Sequence, residues 1–204
     1  MAATKPQIRS LFATPIAIHF LPVAQDVNAA WRPLILERAQ EGEGGQGWRS
    51  GADFADWGGE PVQTLFRVAR DLADRLTTTR SGGRVNLEWK VDVVATVRQR
   101  GEYREIAARS GPFWSGVYYV DDGYAKSDDA ALGGECELAD PRGSLPGHSE
   151  YGFRIPGGQV AGETELIRPQ TGMIILHPSW LARGERRHEG DDRRITVEFD
   201  LTPP

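Results

Sequence analysis

The side chains that most often carry catalysis or bind metals are few in this chain and are not arranged in familiar patterns. No two of its four histidines, His19, His148, His177 and His188, show the His-x-His or His-x-x-x-His spacing that is typical of metal ligands. The only cysteine, Cys136, lies between two glutamates, which disfavour the thiolate that a catalytic cysteine needs. We therefore interpret Cys136 as structural, and His19, His148 and His188 as surface or hydrogen-bonding residues.

Charged side chains do cluster in the last quarter of the chain. Arg183 begins a run to Asp192 in which basic and acidic residues are interleaved, and Arg194 follows it closely. A charged run of this kind is usually a solvent-exposed surface. Guanidinium groups gathered in a pocket would instead hold a carboxylate or phosphate through paired hydrogen bonds. Both interpretations stay open for Arg183 at this point.

Composition places the chain among soluble globular proteins. Its 204 residues suit one compact domain, and the hydrophobic and charged fractions of 39% and 26% are ordinary. A net charge of −5 gives no basic field for nucleic acid. The single cysteine excludes an intramolecular disulfide, and no apolar run has the length of a secretory signal or a membrane span. These features predict a cytoplasmic protein with neither nucleic-acid nor membrane partners, and a homodimer is one open alternative for its assembly.

The hydrophobic pattern predicts a short helical part followed by a β-rich part. Apolar residues at helical spacing predict helices over 23–40 and 61–79, the second beginning near Pro61. An opening strand is predicted within 8–21, with Pro15 at an edge or bulge. Further strands are predicted at 85–98, 112–120, 134–139, 163–169, 172–177 and 193–201, separated by long polar loops at 121–133 and 141–162. We expect one domain over 1–204, with an N-terminal strand and bracing helices in 1–82 and a barrel core in 83–204.

Six short motifs follow one another along the chain. They are Leu11-Phe-Ala-Thr-Pro15, Gly47-Trp-x-Ser50 with Trp57, Ser115-Gly-Val-Tyr-Tyr-Val120, Asp140-Pro-Arg142, Pro178-Ser-Trp-Leu181 and Arg194-Ile-Thr-Val-Glu-Phe199. In this order they resemble the motifs of a bacterial family of 2-oxoglutarate and Fe(II)-dependent oxygenases. The resemblance implies a mainly β fold with flanking helices, a double-stranded β-helix (a jelly-roll, cupin-like barrel) whose mouth holds iron and 2-oxoglutarate. It also implies that Trp180 is a packing residue.

The same resemblance implies where the three metal ligands of the family would fall, namely at Ala107, Arg109 and Arg183. Alanine has no donor atom, and a protonated guanidinium has no lone pair to offer a metal. We therefore predict no metal at these positions and no cofactor. The alternative is that 2-oxoglutarate and Fe(II) are still bound, with the iron at a relocated site such as His177, Glu105 and a loop histidine.

The predicted function is a metal-independent, non-redox enzyme of the cyclase, isomerase or lyase type. Its substrate would be a small anionic or carbonyl compound, with Arg109 and Arg183 stabilising developing negative charge. Glu105 would move the proton, and His177 and Tyr103 are less favoured candidates for that role. The resemblance implies that Arg194 stands where the family grips the far carboxylate of 2-oxoglutarate; the predicted substrate-binding residues are Arg194, Thr196 and Trp114.

Two other functions stay open. One is a non-catalytic pseudo-oxygenase that binds small acids and acts in regulation. The other is a genuine 2-oxoglutarate-dependent oxygenase with a relocated iron site. Trp114 also has a simpler interpretation as a core residue, because alternation sends Trp114 and Tyr118 to one face of their strand and Tyr119 to the other.

Overall fold

The computed structural model describes residues 13–40, 47–143 and 164–204. The first part of the predicted opening strand, most of the loop over 141–162 and His148 lie outside the described residues. The elements in chain order are β1 (Ala17–Phe20), α1 (Ala24–Gln40), β2 (Trp48–Arg49), α2 (Phe54–Trp57), α3 (Glu60–Leu76), β3 (Lys90–Arg98), β4 (Arg104–Ala107), β5 (Trp114–Asp121), β6 (Cys136–Leu138), β7 (Glu165–Ile167), β8 (Met173–Pro178), β9 (Arg183–Glu185) and β10 (Arg194–Thr202).

The helices form as the apolar spacing predicts, with small shifts at their ends. Helix α3 starts one residue before Pro61, after Gly59, which has a positive φ of 70°. Its buried residues Val62, Leu65 and Ala69 recur every three or four positions, so they form one face. That face packs on the outer side of the larger sheet, together with the fully buried Trp31 of α1.

Two antiparallel sheets carry the rest of the chain. The larger sheet has the strand order β1-β8-β5-β10-β3-β2, and the smaller sheet has the order β4-β9-β6-β7. Strand β10 lies in the middle of the larger sheet and pairs with β3 over nine residues. A second apolar cluster joins the two sheets, since Val117 and Tyr119 of β5 pack with Cys136 and Leu138 of β6. Cys136 is buried, which fits its structural interpretation, and burial raises the pKa of its thiol to about 11.

Strand β9 was not predicted, because its residues belong to the charged run after Arg183. In the structure Arg183 and Glu185 are 4% and 2% exposed, so the interpretation of this start of the run as a solvated loop is wrong. Both side chains point between the sheets, where they form ion pairs with each other and, for Arg183, with Glu198. His188 is not a surface residue either, since it is 1% exposed and packs against the ring of Tyr124. The hydrogen-bonding alternative holds for it, because its Nε2 lies 3.1 Å from the carbonyl oxygen of Asp192.

A bulge in β4 changes which of its residues face inward. Arg104 lies opposite Glu185, whereas Ala107 lies opposite Arg183, so three residue steps on β4 match two on β9. The extra residue lets Arg104 and Ala107 both line the interior cavity, while Glu105 does not. Simple alternation would turn Glu105 to the same side as Ala107, and the bulge prevents this, so the prediction that Glu105 acts inside the barrel is wrong.

Candidate functional site

The centre of the site is Glu198, on the inward face of β10. Alternation along this strand turns Thr196, Glu198 and Asp200 to the same side. Glu198 is 3% exposed, and its pairing with Val94 of β3 and Val117 of β5 fixes its backbone on both sides. The carboxylate therefore occupies a well-determined place between the two sheets.

Arginines surround this carboxylate. Arg183 donates from Nη2 to Oε1 of Glu198 at 2.9 Å, and Arg104 contacts the same oxygen. Arg109 and Arg49 donate to Oε2 at 3.0 and 3.1 Å. Among the described residues, the five arginines within 4.0 Å of Glu198 are Arg49, Arg98, Arg104, Arg109 and Arg183.

Two more carboxylates share these arginines. Arg109 also donates to Oδ2 of Asp200 at 2.5 Å, and Ser115 donates to Oδ1 of Asp200 at 2.6 Å. Arg98 pairs with Glu185 at 2.9 Å. Five arginines face three carboxylates in this cluster, so the site holds a formal excess of two positive charges.

The electrostatic state of the cluster follows from burial and from these pairs. Burial alone would raise the pKa of Glu198, but Arg183, Arg104 and Arg98 outweigh it and hold that pKa well below its usual range. Burial opposes the charge of Arg183, yet Glu198 and Glu185 raise its pKa above that of a free arginine. Both groups are therefore ionised across the physiological pH range.

His177 lines the same cavity from β8, directly opposite Ser115 of β5. Its Nδ1 lies 2.9 Å from the carbonyl oxygen of Pro178, which can only accept, so Nδ1 carries the proton and Nε2 keeps the free lone pair. Burial, followed by the charge of Arg183, lowers the pKa of His177 to about 4. The imidazole is therefore neutral at pH 7.

The cavity itself is small because the ion pairs fill it. Its free volume is about 10 Å³, room for about one water-sized group. The lining residues are Arg104, Ala107, Arg109, Ser115, Gly116, His177, Ser179, Arg183, Glu198 and Asp200. Arg109 and Arg104 are 31% and 20% exposed, so the cluster reaches solvent on their side.

The structure brings together only part of the predicted site. Arg109, Arg183 and His177 converge on one cavity, as expected. Arg194 does not join them, because it stands four residues from Glu198 towards the other end of β10, and Thr196 bonds to Thr96 across the sheet at 2.6 Å. Arg194 and Thr196, which were predicted to bind the substrate on which Arg109 and Arg183 act, therefore lie outside this cavity.

Three other predicted residues lie elsewhere. Trp114 is 3% exposed on the helix side of β5, where its Nε1 donates to Thr77 at 3.0 Å, so it is a core residue and cannot line the cavity. Tyr103 and Glu105 line a separate open groove outside the smaller sheet. The packing role expected for Trp180 is also wrong, since this side chain is 54% exposed.

Several residues of the cluster were missed by sequence reasoning. Asp200 carried a usable signal, because it follows Glu198 by two positions on a strand that the pattern predicts. Arg49 and Arg98 gave none, since they reach Glu198 only through the long-range pairing of β2, β3 and β10. Arg104 faces inward only because of the bulge.

Two features that the described part of the chain lacks bear on broader classes of function. No group of three or more His, Cys, Asp or Glu residues is arranged there to hold a metal ion. No helix among the described residues is long and apolar enough to cross a membrane.

Comparison with protein families shows which family the chain belongs to. A profile of the family described as "Putative 2OG-Fe(II) oxygenase" matches residues 94–200. The chain belongs to this family. The match includes β4, β9 and most of β10, so the arginine cluster of this 2OG-Fe(II) oxygenase family member lies inside the matched region except for Arg49. A search of curated proteins found no match.

Solved structures agree on the fold of this family member. A prolyl-4-hydroxylase from Pseudomonas putida is 13% identical, with 95% of this chain and 90% of that chain covered and a TM-score of 0.58. A prolyl hydroxylase from Trichoplax adhaerens, in complex with a hypoxia inducible factor peptide, is 13% identical over 92% and 83% of the two chains, with a TM-score of 0.61. HygX from Streptomyces hygroscopicus, with nickel and 2-oxoglutarate bound, is 15% identical over 93% and 83%, with a TM-score of 0.55. The predicted double-stranded β-helix with flanking helices is thereby confirmed.

Proposed function

We propose that this member of the 2OG-Fe(II) oxygenase family has exchanged the family's iron site for an anion site and acts on a small acid without iron. The supporting observation is the arrangement around Glu198. Ala107 and Arg183 face each other across β4 and β9, and Arg109 meets Arg183 at the same carboxylate. These are the three positions at which the resemblance implied metal ligands.

The donor set of the cavity does not fit Fe(II). Ala107 has no donor atom, and the guanidinium groups of Arg109 and Arg183 have no lone pair. The cavity does contain His177, Glu198 and Asp200, but both carboxylates are already bound by arginine. A dication would have to break these pairs and enter a cluster that carries excess positive charge. HygX, which shares this fold, has nickel and 2-oxoglutarate bound, so loading with Fe(II) is the proper competing test.

The same donor set suits a carboxylate or a developing oxyanion. Arg109 is the more mobile clamp, since its side chain is 31% exposed while that of Arg183 is 5% exposed. An incoming acid would exchange places with one of the carboxylates that Arg109 bridges, and the buried Arg183 would stabilise negative charge formed on a carbonyl oxygen.

A proton acceptor is also present in the cavity. Glu198 keeps its low pKa among the arginines and is a poor base, whereas the neutral His177 has a free lone pair at Nε2. His177 is therefore the better candidate to take a proton from the carbon beside a carbonyl, and Glu105 loses that role because it lies outside the cavity. The proposed reaction class is a non-redox proton transfer, such as an isomerisation, cyclisation or elimination.

The test is hydrogen–deuterium exchange of small 2-oxo acids in D₂O with EDTA present, followed by proton NMR. Pyruvate, oxaloacetate and 2-oxoglutarate are the probes. Enzyme-dependent exchange that His177→Asn abolishes and Arg109→Ala lowers at least tenfold supports the proposal. The exposed Arg100, whose ion-pair partners among the described residues are Glu189 and Asp191 at the surface, supplies the matched control Arg100→Ala. Turnover that requires Fe(II), oxygen and 2-oxoglutarate would overturn the proposal and restore an oxygenase function.

A second candidate, a non-catalytic small-acid binder, is favoured by one observation. The free volume of about 10 Å³ leaves little room for a substrate to rearrange beside the ion pairs. Saturable stabilisation of the protein by one of the same acids, without exchange or conversion, would favour the binder over the enzyme.

A further inference from the structure

Three polar side chains stand in a row across the middle of the larger sheet. Ser115 of β5 lies directly opposite His177 of β8 on one side and directly opposite Asp200 of β10 on the other. All three line the same small cavity, so they share one face of the sheet. The register therefore places the hydroxyl of Ser115 between the imidazole of His177 and the carboxylate of Asp200.

A proton taken up by His177 would be held in an unfavourable place. His177 is 3% exposed, and the charge of Arg183, followed by those of Arg104 and Arg109, opposes a positive charge on its ring. A buried cation beside other cations is costly unless its charge moves on. Asp200 is nearer to solvent than His177, since its side chain is 18% exposed.

The separation of His177 and Asp200 favours transfer through Ser115. Strand β5 lies between β8 and β10, and two strand spacings amount to about 10 Å. Side chains directly opposite one another on adjacent strands have Cβ atoms about 5 Å apart, so each half of the row is within reach of a hydrogen bond. The second half is already formed, because Oγ of Ser115 donates to Oδ1 of Asp200 at 2.6 Å.

A serine hydroxyl can accept one proton while it gives up another. It has one O–H group to donate and two lone pairs with which to accept. On Asp200, Arg109 donates to Oδ2, whereas Oδ1 takes the hydrogen bond of Ser115. Oδ1 is therefore the oxygen that is placed to receive a proton from the row.

We propose that Ser115 relays to Asp200 the proton that His177 takes from the substrate, and that Asp200 passes it to water. The Nε2–H bond of His177 breaks as a new O–H bond forms at Oγ of Ser115, and the original O–H proton of Ser115 joins Oδ1 of Asp200. His177 and Ser115 end neutral, and Asp200 then loses the proton to solvent. This inference rests on the proposed function, in which His177 is the base, and it makes Ser115 a positioning residue that does not touch the substrate.

A purely structural role for Ser115 would have a different kinetic effect. Its hydrogen bond would then only orient Asp200 for Arg109, which is the clamp proposed for the incoming acid. Loss of that orientation would weaken binding of the acid and raise KM. Loss of a proton relay would instead slow the release of the proton after binding, so it would lower kcat and leave KM nearly unchanged.

The experiment measures deuterium exchange of a 2-oxo acid in D₂O with EDTA over a range of acid concentrations, which separates kcat from KM. The probe is whichever of pyruvate, oxaloacetate and 2-oxoglutarate the wild type exchanges fastest. Ser115→Ala adds no atoms to the cavity and is expected to fold; it should lower kcat at least tenfold with KM within twofold of the wild type. Ser115→Thr and Ser115→Val are a matched pair of equal shape that differ in the hydroxyl, and kcat of Ser115→Thr should be at least tenfold the higher.

Three results would overturn the inference. They are an unchanged kcat in Ser115→Ala, equal kcat values in Ser115→Thr and Ser115→Val, and a loss that lies in KM rather than in kcat. In each of these cases, wild-type exchange that depends on His177 leaves the proposed function standing. Absence of exchange in the wild type would instead overturn the proposed function, and the relay with it.

Discussion

Arg183 donates to Glu198 at 2.9 Å, and both side chains are at least 95% buried. They come from different sheets, so this ion pair joins β9 to β10 across the interior. An ion pair in this position has lost most of its hydration, and its stability depends on both partners being present. The pair therefore couples the chemistry of the site to the stability of the fold.

Removing the charge of Glu198 should destabilise the protein strongly. Glu198→Gln keeps the shape but leaves the surrounding arginines without their common anion, and we expect a loss of about 3–5 kcal/mol in the free energy of unfolding. Urea denaturation measures this loss, with the exposed Glu105→Gln as a control within about 0.5 kcal/mol of the wild type. The double change Glu198→Gln with Arg183→Met should recover part of the loss, and a double variant less stable than Glu198→Gln would contradict this account.

Acid should weaken the fold partly through His177. Its pKa is about 4 in the folded protein and 6.5 in the reference state, so the unfolded chain binds the proton more readily between these values. Stability is fully present above pH 6.5 and decreases as the pH falls to about 4, by about 3 kcal/mol from this group. The unfolding free energy of His177→Gln, measured by urea denaturation, should therefore depend less on pH between 6.5 and 4 than that of the wild type. If the unfolding free energies of the two proteins changed equally with pH, His177 would not be the responsible group. His188, whose pKa is also lowered by burial, would then be the next candidate.

The two tryptophans Trp31 and Trp180 should respond very differently to truncation. Trp31 is fully buried, donates from Nε1 to Gly58 at 2.8 Å and packs edge-on against Tyr118. Trp31→Ala should cost about 3–5 kcal/mol of unfolding free energy. Trp180→Ala should cost less than about 1 kcal/mol because the side chain is 54% exposed. Thermal and urea denaturation of both variants would check the contrast, and similar losses would mean that Trp180 packs as its motif suggested.

Gly134 should tolerate no side chain because of Arg194. Its φ is +74°, and an added Cβ would lie 2.5 Å from Nη2 of Arg194. Gly82 has a φ of +84° with nothing within 4 Å, so Gly82→Ala reports backbone strain alone, about 1–2 kcal/mol. Gly134→Ala should cost about 2 kcal/mol more, because moving the guanidinium breaks hydrogen bonds of a buried charged group. Equal stabilities of the two variants in urea would show that Arg194 can move freely.

Most of the architecture could be predicted from sequence because apolar periodicity reports which faces are covered. The helix face of α3, the apolar run of β5 and the alternation in β10 are examples, since burial of one stripe or of both faces leaves a readable pattern. The six motifs also led to the correct family. Strand β9 could not be found in this way, because it buries Arg183 and Glu185 and thus reverses the usual relation between charge and exposure.

The candidate site was harder to predict than the fold, because it depends on the strand register of β4 and on the length of arginine side chains. One extra residue in β4 decides that Arg104, and not Glu105, faces inward, and no local pattern marks such a bulge. Arginine side chains are long, so Arg49 joins the cluster from a strand two positions away from β10. Arg194 lies on a strand that the pattern predicts, but it stands four residues from Glu198 and does not line the cavity of Arg109 and Arg183.

The position of β10 has a consequence for motion at the site. Because β10 is paired on both sides, the amide of Glu198 can exchange with solvent only when the central sheet opens, which is the slowest kind of opening in a domain. The anchor of the arginine cluster should thus persist for as long as the native state does, whereas Arg49 and Arg109 at the rim can change rotamer within nanoseconds. Any selectivity that this protein shows among small acids is accordingly a matter of fast side chains sampling around a carboxylate that does not move.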